Sequence, residues 1–215
     1  MLKIWGRRTS SNVQKVMWLV GELGLQHERI DAGGKFGGIN TPEFLARNPH
    51  GQIPVIDDGG IIIWESHTIL RYLAARYGAP RFWDSDPAVR AGAEQWMDWS
   101  QTRLEQSLIG GVFWGYYRTP ESQRNWPAIN RAIEECAHLF GLLDRELAIH
   151  PFVTGEMLTL ADIPAGMTLY RYFELDIERP ALPHVEAWYR RLQERPAYRA
   201  QVMVPFDELK GRLAF

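Results

Sequence analysis

Three short stretches near the amino terminus carry residue types able to bind and activate a small polar molecule. Thr9-Ser10-Ser11-Asn12 gathers three hydroxyls and a carboxamide just ahead of an apolar run with helical spacing. A helix start leaves its first backbone N–H groups without internal partners and carries the positive end of the helix dipole, so an anion is favoured there. The same residue types are ordinary helix caps, and both uses are open at this point. Gln52-Ile53-Pro54-Val55 sets a proline at the mouth of a strand, one of the few sheet positions that tolerate it. A cis Ile53–Pro54 bond would leave the adjoining backbone able to pair with an extended peptide, although such a bond taken alone is usually trans. Glu65-Ser66 stands where a helix begins. Ser66 can donate a hydroxyl and a backbone N–H to a carboxylate, and Glu65 can accept from an ammonium group. The end of an amino acid that bears both charges needs both partners, whereas the plain alternative is a serine N-cap with a helpful acid.

Other reactive types stand apart. Cys136, the single cysteine, lies in a helical pattern beside Glu134 and Glu135, whose charge would raise its pKa, and is expected to be inert. The histidines lack the spacing of metal ligands, so no metal is expected; His67 is expected to be exposed on the first turn of its helix. Phe113, Trp114, Tyr116 and Tyr117 follow Gly110-Gly111, and they suit either core packing or the wall of a hydrophobic pocket. Trp96 and Trp99 read as core.

The elements that must position these residues alternate at first. Leu2–Trp5 is a strand, Val13, Val16, Met17, Val20 and Leu23 recur at helical spacing, and a weaker strand runs from His27 to Asp31. Thr41-Pro42-Glu43 offers an N-cap, a proline at the first helical position and an acid in the first turn. Strands at Pro54–Asp57 and Ile61–Trp64 flank Asp58-Gly59-Gly60, a hairpin turn signal. The next helix turns Ile69, Leu70, Leu73 and Tyr77 inward. This order joins a parallel unit to an antiparallel hairpin in one sheet, the plan of an α/β thioredoxin-like domain over 1–78. Residues 79–85 read as a linker, and 86–215 as an all-α domain. Within that domain one helix starts at Asp86-Pro87, and another presents Ile129, Ile133, Ala137, Phe140, Leu143 and Leu147 on one face. Thr159 and Asp162 are spaced as a capping box, with Leu158 and Ile163 as its staple.

At 215 residues, 46% hydrophobic and 23% charged, the chain has an ordinary globular composition. A net charge of −2 supplies no cationic face for nucleic acid. No signal segment or apolar run of about 20 residues is apparent, so no membrane association is expected. One cysteine cannot form an internal disulfide, which fits a reducing cytoplasm.

Taken together and in order, Ser10-Ser11-Asn12-Val13, Pro42-Glu43, Ala46 to Pro54, Trp64-Glu65-Ser66-His67-Thr68-Ile69 and Thr159-Leu160-Ala161-Asp162 resemble the cytosolic glutathione transferases. The resemblance is nearest to the serine-type phi and theta classes and their bacterial relatives, and it spans nearly the whole chain. It implies a homodimeric, cytoplasmic enzyme that activates the glutathione thiolate for attack on small hydrophobic electrophiles. Glutathione-dependent reduction of disulfides or peroxides, or a non-catalytic binding role, are the alternatives. By the same resemblance Ser10 is the donor to the sulfur and Asn12 a second one, with Thr9 and Ser11 as rivals. Ile53 and Pro54 would pair with the cysteinyl backbone, Gln52 would touch the peptide, and Glu65 and Ser66 would hold the γ-glutamyl end. Phe113, Trp114 and Tyr117 would line the electrophile pocket between the domains. The phi-type His-Lys pair for the glycine carboxylate is replaced by Ile39 and Asn40, leaving Lys35 and His50 as candidates for that charge.

Overall fold

The computed structural model describes residues 1–214. The chain forms two compact units.

The first unit comprises residues 1–83 together with Pro196–Pro205. Its elements are β1 (Leu2–Trp5), α1 (Ser11–Glu22), β2 (His27–Ile30), the one-turn helix α2 (Pro42–Leu45), β3 (Val55–Asp58), β4 (Ile61–Trp64) and α3 (Ser66–Tyr77). They build a sheet of order β2-β1-β3-β4. β1 pairs parallel with β2 and antiparallel with β3, and β3 pairs antiparallel with β4. The thioredoxin-like arrangement read from the sequence is therefore the observed one. Val13, Val16 and Leu19 of α1, Ile69, Leu70 and Leu73 of α3 and Ile4 and Ile56 of the sheet are all buried, and a separate cluster joins Ala32, Phe44 and Val55. The turn works as its residues require: Gly59 and Gly60 both take positive φ, and the Asp57 carboxylate accepts from the Gly60 N–H at 2.7 Å. Thr41 caps α2, its hydroxyl accepting from the Phe44 N–H.

Two expectations shift here. Pro54 lies just ahead of β3 rather than in it, and the strand extends one residue further, to Asp58. Tyr77 does not face inward; it is 40% exposed, and its hydroxyl donates to Asp58, which also accepts from Tyr72 and Arg76. Ala74 takes the core position instead. The short helix α8 (Pro196–Gln201) also returns to this unit, where Ala197 lies against Gly21 of α1 and Tyr198 meets Trp18 edge to face at 4.8 Å. The helical part thus does not run unbroken from residue 86 to the end.

The second unit, residues 84–195 and 206–214, is helical. Its main helices are α4 (Pro87–Trp99), α5 (Trp126–Leu147), α6 (Asp162–Glu174) and α7 (Pro183–Gln193). Asp86 caps α4 through the Ala88 N–H. α4 continues through wider, π-type turns over Ser100–Leu104 and Gln106–Arg118, ending with an i to i+5 bond from the Thr119 N–H to the Trp114 carbonyl. A methyl group on Gly111 would stand 2.5 Å from Ala132 Cβ, so glycine at 111 permits the close approach of this segment to α5. On α5 the buried line is Ile129, Cys136, Leu139, Phe140, Leu143 and Leu147. Ile133 and Ala137, expected on that line, sit at its margin because its centre falls between Cys136 and Phe140. In α4, Met97 is the core residue, and Trp96 and Trp99 pack edge to face at 5.0 Å while only half-buried.

Candidate functional site

Sheet register brings the three sequence stretches to one place. Trp5 pairs with Val55 and with Ile30, and Val55 pairs with Trp64. These residues end β1, open β3, end β2 and end β4, so whatever follows or precedes them emerges from the same edge of the sheet. The Arg7–Asn12 turn follows β1, Gln52-Ile53-Pro54 precedes β3, Glu65-Ser66 follows β4, and the loop with Lys35 follows β2. Neighbouring strands are about 4.8 Å apart, so the β4-to-β1 span is about 10 Å, the extended length of a tripeptide.

Ser10 occupies the N-cap position of α1 but makes no side-chain capping bond, and its carbonyl accepts from the Gln14 N–H at 2.9 Å. The hydroxyl is thus not used as a cap, and the residue is half-buried at the helix start. Of its neighbours, Thr9 is buried, Ser11 is half-buried as Ser10 is, and Asn12 is exposed. The Ser66 hydroxyl donates to Asn12 Oδ1 at 3.4 Å and ties the start of α3 to that of α1. Ser66 is buried as the first residue of α3, and the N-cap position falls to Glu65, which makes no side-chain cap. The plain N-cap reading of Ser66 is therefore displaced by one residue. Glu65 is exposed and takes φ 69°, ψ 116°, a conformation that a residue with a Cβ adopts rarely and at a cost of about 1–3 kcal/mol.

The Ile53–Pro54 peptide is cis. Pro54 is buried, and Ile53 packs with Trp5, Ile39 and Trp64 on Ala32, Phe44 and Val55. Gln52 is exposed, and its carbonyl accepts from the Asn48 carboxamide at 2.8 Å, which anchors the segment from below. Lys35 and His50 are both exposed. Lys35 Nζ lies 5.4 Å from the Phe36 ring, and the His50 imidazole meets Trp64 edge to face at 5.2 Å.

His67 is not exposed on its helix turn. It is buried beside Lys15, whose Nζ lies 3.2 Å from His67 Nε2. α1 and α3 pack face to face there, and both side chains stand on the facing surfaces. A buried lysine breaks the pattern expected of an amphipathic helix, so sequence reasoning missed it.

In the helical unit Phe113 is buried, stacked on Tyr117 at 5.4 Å and edge-on to Phe206. Tyr117 is half-buried, and Trp114 is exposed under the Arg118 guanidinium at 3.8 Å. Asp162 is fully buried; it accepts from the N–H groups of Val153 and Thr159, the indole of Trp188 and the Thr159 hydroxyl. The carboxylate reaches back to Thr159 as expected, but the Thr159 hydroxyl accepts from Ala161 N–H instead of Asp162 N–H. Burial pushes the Asp162 carboxyl up to about 6 against the lowering pull of those four donors. The Cys136 thiol is likewise pushed up to about 12, by burial first and by Glu135 second. Its inertness was expected from neighbouring charge, and burial is the larger cause.

The sequence profile of the glutathione S-transferase N-terminal domain matches residues 1–75, and that of the C-terminal domain matches residues 106–196. Glutathione S-transferase GstB of Escherichia coli is 42% identical over 207 residues, covering 95% of this chain and 99% of that protein. Glutathione S-transferase 3 of Zea mays is 30% identical, covering 94% and 93%. Among solved structures, the glutathione-bound theta class glutathione S-transferase of Xanthomonas axonopodis pv. citri aligns with a TM-score of 0.89 and 44% identity over 95% of this chain and 98% of that one. With the candidate residues of the first unit gathered at one sheet edge and both halves of the family matched across the chain, this protein belongs to the glutathione S-transferase family.

Proposed function

We propose that the chain binds glutathione along the sheet edge, ionises its thiol at Ser10 and directs the thiolate at small hydrophobic electrophiles. The observation that carries this reading is the Ser10 hydroxyl, held at the start of α1 without a capping bond while Pro54, Glu65 and Ser66 emerge from the same edge. The γ-glutamyl ammonium and carboxylate are assigned to Glu65 and Ser66, and the cysteinyl backbone to Ile53 ahead of cis-Pro54, with Gln52 alongside.

A thiol has a pKa of about 8.5, and making it largely ionised near neutral pH takes a preference for the anion of about 2.7 kcal/mol. One hydrogen bond to a charged group contributes about 1.5–3 kcal/mol, and a helix N-terminus adds about 0.3–1 kcal/mol. Ser10 and the α1 terminus therefore suffice, with Asn12 as a second donor. A serine that donates to the sulfur needs no histidine base. Trp114 and Tyr117, which keep exposed surface above buried Phe113, are assigned to the electrophile. A homodimer and cytoplasmic residence belong to the same reading and rest on family membership.

The test is retention on immobilised glutathione followed by parallel assays. Turnover of 1-chloro-2,4-dinitrobenzene, in which the sulfur–carbon bond forms as chloride leaves, is expected to exceed turnover of a hydroperoxide or a mixed disulfide. Faster reduction than transfer would favour the reductase alternative, and absence of retention would favour a non-catalytic role.

A further inference from the structure

The loss of a His-Lys pair leaves the glycine end of glutathione without an assigned cation, and the strand order tells on which side of the sheet that end would lie. A tripeptide that starts on Glu65 and Ser66 after β4 and passes Ile53 ahead of β3 has its far end over β1 and β2, because that is the strand order. Ile39, at one position of the missing pair, is packed on the small apolar cluster with Ile53 and Trp64. His50 lies against Trp64, on the β4 side and so at the opposite end. On the β2 side, Gly33 adopts φ 73°, and a methyl group there would stand 3.1 Å from Ile53 Cδ1 and 3.6 Å from Arg7 Nη1. The Arg7 guanidinium, Gly33 and the Ile53 side chain thus close on one spot. Arg7 is half-buried, with its Nε buried. Of the other guanidiniums on this side, Arg29 is turned to the Gly6 carbonyl at 2.8 Å and to the Asp31 carboxylate, and Arg47 lies over the Trp5 ring at 4.8 Å and donates to the Glu43 carbonyl at 2.8 Å.

We propose that Arg7 binds the glycyl carboxylate of glutathione and so replaces the cationic pair that this chain lacks. This rests on the glutathione reading above. A guanidinium presents five donors in a planar fork, so Arg7 can keep a protein partner and still meet a carboxylate. Gly33 is part of the arrangement, since any side chain there would intrude between Arg7 and Ile53.

The experiment compares two ligands on the same protein, glutathione and its glycyl monoethyl ester, which differ in that carboxylate. Isothermal titration calorimetry is run on the full-length wild type, Arg7→Gln, Arg7→Lys and Lys35→Gln. For the wild type, esterification should weaken binding about tenfold or more, the scale of one charge-assisted hydrogen bond. Arg7→Gln should bind both ligands equally, Arg7→Lys should keep part of the preference, and Lys35→Gln should keep the wild-type ratio. Because each ratio is taken within one protein, altered stability cancels. Survival of the full ratio in Arg7→Gln, its collapse in Lys35→Gln, or a wild type indifferent to esterification would overturn the assignment while leaving glutathione binding intact. Failure of the wild type to bind either ligand would instead sink the parent reading.

Discussion

Ser10 differs from its neighbours in what its side chain is left to do. Thr9 is buried, the Asn12 carboxamide is engaged by Ser66, and Ser10 alone holds the N-cap position without capping. Its removal should therefore move the thiol and leave the binding of the peptide largely unchanged. Ser10→Ala is expected to raise the pKa of bound glutathione by about 1–2 units, the equivalent of one hydrogen bond to an anion. Since the thiolate is the nucleophile, activity near pH 6.5 should fall about 5- to 50-fold and recover as pH rises past the new value. Thiolate absorbance titrated in both proteins decides it; identical curves would remove Ser10 from the role. Glu65, at φ 69° with an exposed carboxylate, belongs to the same scale. A glycine there would relieve the backbone, and the γ-glutamyl role proposed for the carboxylate gives the strained glutamate a use.

At the scale of elements, the start of α6 is held by one carboxylate. Asp162 joins the Val153 loop, Thr159 and Trp188 of α7, and Asn at 162 would replace an acceptor oxygen with a donor facing N–H groups. Asp162→Asn should cost about 2–3 kcal/mol in urea melts, the penalty of buried donors left unmatched. The pH dependence has a definite sign. A carboxyl that holds its proton more tightly folded, at about 6 against 3.8, contributes stability that is full below 3.8 and is lost as pH rises through about 6. Wild-type stability should thus include a component that declines across that window, and melts of Asp162→Asn between pH 4 and 7 should lack it. A difference between the two proteins that stays constant over that range would mean that Asp162 does not titrate there. In the first unit the Lys15–His67 contact and the Ser66–Asn12 bond play a related part, joining α1 to α3 at two levels.

Across the whole molecule the single thiol reports integrity. Cys136 is fully buried on α5 and held protonated, so a thiol reagent such as 5,5′-dithiobis(2-nitrobenzoate) should label almost none of the native protein and one thiol per chain in denaturant. Prompt labelling of the native state would show that α5 opens readily. Among the described residues no helix is long and apolar enough to cross a membrane.

Much of this was legible in the residues themselves. The Asp-Gly-Gly turn, the Thr41-Pro42 cap, the alternation of strands and helices in the first unit and the acid at 162 are local signals, because turn chemistry and capping act within four residues. The strand that the sequence makes weakest, β2, forms because β1 offers it a parallel partner along its whole length. What only tertiary structure decided is which side of an element each group faces and what meets it across a gap in sequence. His67 and Lys15 are buried because two helices pack there, 52 residues apart in the chain. Tyr77 turned outward, where Asp58 accepts its hydroxyl, and Arg7, Gly33 and Ile53 meet from three separate loops. Backbone preference is written residue by residue, whereas burial and charge environment are properties of neighbours that a linear sequence does not place side by side.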